Sequence, residues 1–505
     1  MTPTMLTVCL IIPPSIFLLD DRVFMTLGIL RVAAVLEQFG IAVEMLDLSG
    51  VANYEEAMRS YAAGSVAKIF GLTATTPQML PVGRIQQALR ATRPDAKLIL
   101  GGPHVTLVQA AAKKEQARGA PGRAARALTQ LSGLFDVLVA GDGEVAIFRA
   151  LEDDAPALID ADDPKSELFL DNARLTDLPF PARHLVDVES YHYSVDGVRA
   201  LSLIAQLGCP FECGFCGGRA SPSLRRVRMR TTQSVVQEIV HLHQTYGVNG
   251  FMLYDDELNV NPRMIELMEA IAAAQRELQA DFRLRGFIKS ELFTDKQAEA
   301  MYQAGFRWIL VGFESGAPRI LTNINKKASL ADNTRCVETA RRHGLKVKAL
   351  MSIGHPGESE DTCLQTHQWL LETAPDDFDV TIITTYPGTP YYDEAVPHAS
   401  KPGHWTYTYA RTGDRLHMSE VDYMKVADYY KGDPDGGYRA FVSTDALSPE
   451  DLVRLRDFVE RDVRGRLGIP FNPGAPALQF EHSMGQHGAK LPPNMLRSTR
   501  GPGAP

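Results

Sequence analysis

The sequence predicts an α/β protein made of a doubly wound parallel sheet, a partial or full (β/α) barrel and a mostly helical C-terminal region. Two observations support this fold class. Short apolar runs alternate with helix-like segments in two successive series, and glycine or proline marks the end of most runs. The alternation stops near Tyr391, where the sequence becomes aromatic-rich and irregular. At about 150 residues per domain, 505 residues suit such a multidomain chain.

The first series predicts five buried strands that alternate with helices. The strands are expected over residues 6–13, 41–48, 68–73, 97–100 and 136–140, and helices over 26–40 and 82–93. Strands separated by helices form a parallel sheet, whose ligand crevice lies at the carboxyl ends of the strands. Gly101, Gly102 and Gly141 follow two of these strands, and glycine allows backbone to approach a ligand closely.

The second series predicts six further βα units, which is the pattern of a (β/α) barrel. Its strands are expected over 201–206, 250–254, 282–287, 308–312, 346–352 and 380–384. The predicted domains are the first sheet (1–150), a linker (151–195), the barrel (196–395), a C-terminal substrate or lid region (396–470) and a disordered tail rich in Gly and Pro (471–505).

Composition excludes several classes of function. The net charge is −9, from 52 basic and 61 acidic residues, so a broad basic surface for nucleic acid is not expected. No apolar run reaches the ~18 residues of a membrane helix, and no secretory signal pattern is visible. Six cysteines in 505 residues are too few for a disulfide scaffold. We therefore expect a cytoplasmic protein without a membrane or nucleic-acid partner.

Three cysteines, Cys209, Cys213 and Cys216, lie within eight positions after the first predicted barrel strand. Three thiolates on one loop hold three irons of a four-iron cluster and leave the fourth iron open to another ligand. Zinc is the alternative, but structural zinc takes four protein ligands, and no Cys or His occurs within 20 residues after Cys216. The spacing therefore favours an iron–sulfur site.

The spacing C-x3-C-x2-C, with Phe215 before the last cysteine, resembles the signature of the radical SAM superfamily. Four later segments, 254–259, 312–316, 353–358 and 386–390, resemble motifs of that family in the family's order. The resemblance implies a 4Fe-4S cluster and S-adenosylmethionine. It also implies that S-adenosylmethionine is bound by residues of these motifs: Asp255, Asp256, Glu257, Glu314, Gly354 and Pro387.

The first 190 residues resemble the cobalamin-binding branch (class B) of this family, with a Rossmann-like domain. The resemblance rests on segments 13–14, 26–28, 101–104, 141–144 and 178–183. It implies cobalamin at the carboxyl ends of the first sheet, with its nucleotide tail inside the fold. The implied binding residues are Thr73, Thr75, Gly101, Gly102 and Gly141. A domain of this kind that has lost cobalamin is the alternative.

The axial ligand of cobalt is a separate question. Many cobalamin proteins supply a histidine from an Asp-x-His-x-x-Gly motif, but none of the thirteen histidines here has Asp two positions before it. His104 lies in a Gly-Gly-Pro-His turn found across this branch and is the alternative ligand. We expect the lower face of cobalt to meet residues 73–79 without a histidine.

The resemblance implies a methyltransferase that acts on an unactivated carbon of a small molecule, such as a natural-product intermediate, through a 5′-deoxyadenosyl radical and methylcobalamin. The alternatives are a cobalamin-dependent cyclisation, rearrangement or oxidation without methyl transfer, and a non-catalytic iron–sulfur sensor. The implied partners are the substrate and an electron donor such as flavodoxin or ferredoxin.

The remaining cysteines and a group of tyrosines carry weaker signals. Cys336 and Cys363 lie in helical patterns and are predicted to be small buried hydrophobes. Five tyrosines after residue 400 are candidates for a substrate lid, with ordinary packing as the alternative: Tyr407, Tyr409, Tyr423, Tyr429 and Tyr430.

Overall fold

The computed structural model describes residues 6–16, 18, 20–119, 122–427, 439–470, 491–492 and 494–499. Its N-terminal part is a sheet with helices on both faces. The elements are β1 (Thr7–Ile12), α1 (Leu27–Gln38), β2 (Ala42–Asp47), α2 (Tyr54–Gly64), β3 (Ile69–Thr73), α3 (Met79–Thr92), β4 (Lys97–Gly101), α4 (Pro103–Ala117), α5 (Arg123–Ser132), β5 (Val137–Ala140), α6 (Gly143–Leu151) and β6 (Leu158–Asp160). These six strands are parallel in the order β2-β1-β3-β4-β5-β6.

Burial on both faces explains why β1 is a continuous apolar run. Leu10 belongs to the core that includes α1, whereas Cys9 and Ile11 belong to the core that includes α2 and α3. Parallel strands covered on both sides show this pattern. All five predicted strands are present. The sheet extends past the predicted boundary at residue 150, because β6 pairs with β5 inside the segment predicted as linker.

The second sheet is an open, partial barrel. It is preceded by α7 (Asn172–Asp177), and its elements are β7 (Ser194–Val195), β8 (Val198–Leu203), β9 (Gln206–Leu207), α8 (Pro222–Arg225), β10 (Arg228–Met229), α9 (Thr232–Tyr246), β11 (Gly250–Leu253), α10 (Met264–Glu277), β12 (Arg283–Phe287), α11 (Asp295–Gln303), β13 (Phe306–Glu314), α12 (Pro318–Asn323), α13 (Leu330–Arg342), β14 (Lys346–Ile353), α14 (Glu360–Thr373) and β15 (Asp377–Ile382). The strand order is β15-β14-β13-β12-β11-β8-β7, with β7 antiparallel to β8. Within the described chain β15 and β7 do not pair, so the sheet stays open. Cys336 and Cys363 are buried in α13 and α14, as predicted.

The C-terminal region combines one long helix with a small antiparallel sheet. Its elements are α15 (Pro390–Asp393), β16 (Val396–Pro397), β17 (His404–Thr408), β18 (Arg415–Ser419), β19 (Val442–Thr444), α16 (Pro449–Leu467) and β20 (Leu496–Ser498). The helix α16 agrees with the helical pattern of residues 449–467 in the sequence. The sheet β16-β17-β18-β19 was not predicted, because its strands have at most five residues and give little periodicity. None of the described helices is both long and apolar enough to cross a membrane.

The prediction of a disordered tail over 471–505 does not hold for β20. This strand pairs antiparallel with β2 at the edge of the first sheet. Met495 is buried beside it, and Arg497 forms an ion pair with Asp187 at 3.0 Å. An edge strand has unpaired backbone groups that another segment can satisfy, and β20 does so here. Residues 471–490, 493 and 500–505 lie outside the described residues.

A buried ion pair joins the two sheets. Arg228 in β10 pairs with Asp142, which follows β5, and also donates to the Leu170 carbonyl at 2.7 Å. The side chains of Arg228 and Asp142 are largely buried, so this contact holds the short β9/β10 hairpin against the carboxyl end of the first sheet.

Candidate active site

The three cysteines lie on the loop between β9 and α8, and the backbone at both ends of this loop is fixed. Gly208 has a φ of +86°, and a Cβ there would overlap the Arg226 carbonyl oxygen, so only glycine fits at this position. The Cys209 N–H donates to the Leu224 carbonyl at 3.0 Å. The loop is therefore closed at its base by the paired strands β9 and β10.

The chemistry of the thiols suits an iron–sulfur cluster. Burial raises the pKa of Cys209 to about 11 and also raises the pKa of Cys213. The ammonium groups of Lys326 and Lys289 lower the pKa of Cys213, because positive charge favours the thiolate. Among the described residues, no three His, Cys, Asp or Glu side chains are placed to hold one metal ion. The described residues therefore form no ligand set of the kind that structural zinc needs, and the spacing of the cysteines in the sequence carries the assignment to a cluster with an open iron.

Glu314 ends β13 in a backbone conformation that side chains rarely adopt. Its φ is +67°, and the pairing of β13 with β14 shifts register between Gly312 and Glu314. The carboxylate accepts hydrogen bonds from the Lys326 ammonium at 3.2 Å and from the Ser352 hydroxyl at 2.7 Å. A Cβ on Gly312 would lie 2.5 Å from a Glu314 carboxylate oxygen, so this glycine makes room for the side chain. Such backbone outliers cluster at functional sites.

A chain of polar contacts connects Glu314 to the cysteine loop. The Ser352 hydroxyl lies 2.8 Å from His355 Nε2, and His355 Nδ1 lies 3.4 Å from the Tyr391 hydroxyl. Burial lowers the pKa of His355 to about 3, so its ring is neutral. The Tyr391 N–H in turn donates to the Gly214 carbonyl at 3.2 Å, inside the cysteine loop. The position of Glu314 is thus tied to that of the loop.

The acidic segment after β11 divides into two roles. Asp255 is buried and accepts hydrogen bonds from the Ala205 and Gln206 N–H groups, and Asp256 accepts one from the Gly208 N–H at 3.1 Å. These two carboxylates therefore hold the backbone that leads into the cysteine loop. Glu257 has a buried Oε2 atom with no hydrogen-bond partner in the structure. Burial raises the pKa of Glu257 to about 7. The Oδ2 atom of Asp255 is also buried without a hydrogen-bond partner, so Asp255 and Glu257 each keep a free oxygen for a ligand.

Two buried lysines were missed by the sequence analysis. Lys289 and Lys326 are 2% and 5% exposed. Lys326 pairs with Glu314, and the Lys289 ammonium donates to the Lys326 carbonyl at 2.8 Å and lies 4.1 Å from the centre of the Phe211 ring. Lys289 follows β12 closely, as Asp255 follows β11. Its position after a barrel strand could therefore have marked it as a candidate site residue. Lys326 lies in a turn after α12 and gave none.

The other two residues predicted to contact S-adenosylmethionine lie at the ends of β14 and β15. Gly354 has a φ of +91°, and a Cβ there would lie 3.1 Å from a Val442 methyl group, so the turn requires glycine. Pro387 lines a cavity of about 450 Å³ between α5 and the C-terminal region, together with Thr385 and Tyr423. The structure places Gly354 near the Glu314 network and Pro387 at the wall of this second cavity.

A first cavity, of about 260 Å³, lies at the carboxyl-terminal halves of β1, β3, β4 and β5. Four of the five residues predicted to bind cobalamin line it: Thr73, Gly101, Gly102 and Gly141. Much of the remaining wall is apolar and is formed by Leu10, Ile29, Val32, Leu72, Ile99, Val139, Ile147, Ile204, Leu207 and Leu224. The last two residues flank the cysteine segment, so one cavity touches both the first sheet and the ends of the cysteine loop.

Two of the residues predicted to bind cobalamin, Gly102 and Thr75, have local structural roles. Gly102 has a φ of +95°, and a Cβ there would lie 2.5 Å from Thr73 Oγ1, so the chain itself requires this glycine. By contrast, Gly28 and Gly101 leave open space in which a Cβ would meet nothing closer than 3.8 Å. Thr75 is exposed and caps the short 3-10 turn before α3, and it is absent from the cavity wall.

His104 does not line the first cavity. It is buried at the start of α4, with Nδ1 3.0 Å from the Thr76 hydroxyl, and it lines the second cavity instead. Burial lowers the pKa of His104 to about 4, so the ring is neutral. This orientation supports the expectation that no histidine binds cobalt.

The predicted tyrosine lid is only partly described. Tyr407 and Tyr409 are buried in the core, and Tyr407 packs 4.8 Å from Tyr391, ring centre to ring centre. Tyr423 lines the second cavity and donates to the Thr385 carbonyl at 2.8 Å. Tyr429 and Tyr430 lie outside the described residues. Ordinary packing therefore accounts for Tyr407 and Tyr409, whereas Tyr423 faces a cavity.

The fold and the site define a class of enzyme in which a parallel-sheet ligand domain is joined to a partial barrel with three clustered cysteines. The radical SAM superfamily model matches residues 203–370, and the B12 binding domain model matches residues 22–132. The chain therefore combines a radical SAM domain with a B12 binding domain, and these two domains imply a 4Fe-4S cluster, S-adenosylmethionine and cobalamin as cofactors.

Known proteins are similar to this chain in sequence or in fold. An uncharacterized methyltransferase of Pyrococcus horikoshii is 26% identical over 344 residues, which are 65% of this chain and 69% of the relative. The anaerobic magnesium-protoporphyrin IX monomethyl ester cyclase of Cereibacter sphaeroides is 26% identical over 341 residues, 65% of this chain and 53% of the cyclase. The structure of the radical S-adenosylmethionine methyltransferase TsrM from Kitasatospora setae, with cobalamin and a [4Fe-4S] cluster bound, superimposes with a TM-score of 0.62 at 18% identity and covers 93% of this chain and 92% of TsrM. The fold is therefore shared over most of the chain.

Proposed function

We propose that this enzyme methylates an unactivated carbon of a small molecule. The observation that carries the proposal is the shared cavity: Leu207 and Leu224, on either side of the cysteine segment, line the same cavity as Gly101 and Gly141 of the first sheet. A site for a methyl carrier therefore adjoins a site for radical generation. With the three cofactors bound, such a site supplies a carbon radical that abstracts hydrogen from the substrate and a methyl group for transfer.

The protein's own residues hold and orient these groups. Cys209, Cys213 and Cys216 would bind three irons of the cluster. Glu314 and Glu257 would accept hydrogen bonds from the methionine amine of S-adenosylmethionine, because their carboxylates lie among the same buried charges as Cys213. Ser352 and His355 would keep Glu314 oriented. Water is excluded where the cavity wall is apolar, which limits side reactions of a radical.

The second cavity is our candidate for the substrate. It is lined by residues of α5, by Thr385 and Pro387 after β15, and by Tyr423 of the C-terminal region. Its volume of about 450 Å³ suits a small molecule. In a related structure, TsrM has its tryptophan substrate bound, which supports a substrate of this size. The proposal also includes an external one-electron donor, such as flavodoxin or ferredoxin.

Cyclisation or oxidation without methyl transfer is the second candidate. The similarity to the monomethyl ester cyclase of Cereibacter sphaeroides favours it as much as the similarity to the methyltransferase favours methylation, since both are 26% identical. The two reactions differ in the mass of the product, which methylation increases by one methylene unit.

Mass spectrometry of anaerobic reactions tests the proposal. Reconstituted protein is incubated with candidate small molecules, a reductant and S-adenosylmethionine that carries a CD₃ group. We expect a product that contains the CD₃ group, together with 5′-deoxyadenosine, and neither from the Cys213→Ala variant. A turned-over substrate without the CD₃ group would refute methyl transfer and support the second candidate. Absence of 5′-deoxyadenosine under all conditions would refute both.

A further inference from the structure

Two charged side chains are buried in the first cavity; they attract each other, and Glu238 also attracts Arg31, but no close ion pair is formed. Arg31 in α1 and Glu144 in α6 are 4% and 6% exposed, and both line the cavity. Within the described chain, the Arg31 guanidinium forms no hydrogen bond or ion pair. The Glu144 carboxylate has only its own backbone N–H. By comparison, two other buried arginines form close ion pairs, Arg22 with Asp47 at 3.1 Å and Arg183 with Glu238 at 2.8 Å.

Unpaired buried charges are costly, so this pair points to a missing ligand. Burial and the nearby Asp142 charge raise the pKa of Glu144 to about 7, while Arg31 acts in the opposite direction. Near neutral pH the pair therefore offers the guanidinium N–H groups and, in part of the molecules, a carboxyl O–H. Both groups can donate a hydrogen bond to a neutral acceptor.

The rest of the wall restricts what that acceptor belongs to. Around Arg31 and Glu144 the cavity is lined by Ile29, Val32 and Ile147, which cannot form hydrogen bonds. Gly28 adds open space. The cavity also has polar side chains at Thr73, Thr106, Asp142 and Ser223, but beside Arg31 and Glu144 a ligand that is mainly apolar and carries one acceptor atom fits. The heteroaromatic base of cobalamin's lower nucleotide has this character, because it is apolar apart from its ring nitrogen.

We infer that Arg31 and Glu144 bind the ring nitrogen of the lower base of cobalamin and thereby select corrinoids that carry a nucleotide. The inference rests on the cobalamin site of this enzyme. In free cobalamin that nitrogen coordinates cobalt, so a base buried in the cavity needs another partner for it. The pair supplies this partner and so favours the form in which the base has left cobalt.

The test compares cobalamin with cobinamide, the corrinoid that lacks the nucleotide. Dissociation constants are measured by absorbance titration of the full-length, anaerobically reconstituted protein. We expect Arg31→Met and Glu144→Met each to weaken cobalamin binding about tenfold, which equals about 1.4 kcal/mol, and to leave cobinamide binding unchanged. Glu144→Gln keeps a donor and should retain most of the affinity. Arg149→Met is the matched control, because Arg149 lies on the same helix but pairs with Glu152 and Asp154 at the surface.

Each result decides the inference. If the substitutions weaken the binding of cobalamin and cobinamide equally, the pair has a structural role and the inference is overturned. An unchanged affinity for both corrinoids would also overturn the inference. If Arg31→Met does not fold, Arg31→Gln is measured with the same expected ratio. A wild-type protein that binds cobinamide and cobalamin equally tightly would also overturn the inference while leaving the cobalamin site intact. Binding of neither corrinoid would refute the cobalamin site itself.

Discussion

Lys326 is the residue whose removal tests the site most directly. Its ammonium group lies 3.2 Å from the Glu314 carboxylate, and the two side chains are only 6% and 12% exposed. Substitution Lys326→Met keeps most of the side-chain volume but leaves Glu314 as a buried charge with only the Ser352 hydroxyl as a donor. Breaking a buried pair on one side costs about 3–5 kcal/mol. We expect the lower end of this range, about 3 kcal/mol, because the Ser352 hydrogen bond remains.

Tryptophan fluorescence during urea unfolding measures this loss. The three tryptophans, Trp308, Trp369 and Trp405, all lie in the barrel and the C-terminal region, so the signal follows the part of the protein that contains the pair. The double variant Glu314→Gln/Lys326→Met should regain about 2 kcal/mol, because no unpaired charge remains. Lys346→Met is the control, since Lys346 is 46% exposed and pairs with Asp196 at 3.1 Å. The reasoning is wrong if the unfolding free energy of Lys326→Met is within about 0.5 kcal/mol of that of the wild type. It is also wrong if the effects of Glu314→Gln and Lys326→Met simply add in the double variant, because the pair is then not coupled.

Three further predictions concern the cofactors and pH. Cys213→Ala should abolish 5′-deoxyadenosine formation and the visible absorbance of the cluster, because two thiolates do not retain it, whereas Cys336→Ala in α13 should keep both. Full activity of the Cys213 variant would contradict the cluster assignment. His104→Gln should leave the paramagnetic resonance spectrum of bound cob(II)alamin unchanged and without nitrogen splitting, since the His104 ring faces Thr76 and the second cavity. Nitrogen splitting that disappears in the variant would show that His104 binds cobalt. Burial raises the pKa of Glu358 from 4.5 to about 7, so the folded state favours its protonated form, and the stability this gives is lost as pH rises through that range. Relative to Glu358→Gln, the wild type should therefore lose up to about 3 kcal/mol of unfolding free energy between pH 4 and pH 8, and an equal difference at both pH values would refute the assigned pKa.

The sequence predicted those parts of the fold that repeat over many residues. The continuous apolar run of β1 and the capped start of α16 are local signals, and the structure contains both. The strand β20 has only three residues, and its partner β2 lies about 450 positions earlier in the chain. Nothing local distinguishes such a strand from the residues around it, because its stability comes from the edge that it covers. The same holds for the small sheet that contains β17.

The site was predictable where chemistry is concentrated in a short segment. The three cysteines and Glu314 lie in recognisable motifs, and the structure brings Cys213 and Glu314 into one buried cluster of charges. Lys326 was missed because its partner Glu314 ends β13, outside the segment of the lysine. His355 lies in the predicted segment 353–358, but its contact with Ser352 was not predicted. A buried lysine costs free energy unless a carboxylate is supplied from elsewhere in the fold, and pattern reasoning along one segment cannot see that partner.

The short β9/β10 hairpin explains how one chain keeps two cofactor sites together. Asp255 and Asp256, which follow β11, bind the backbone of residues 205–208 and so fix where the cysteine loop begins. On the other strand Arg228 pairs with Asp142, next to Gly141 in the wall of the first cavity. The same few residues therefore set the distance between the cysteine loop and the first sheet. Because each contact is buried and charged, a shift of the hairpin would break an ion pair or leave a carboxylate unpaired, and this cost holds the two sites in register.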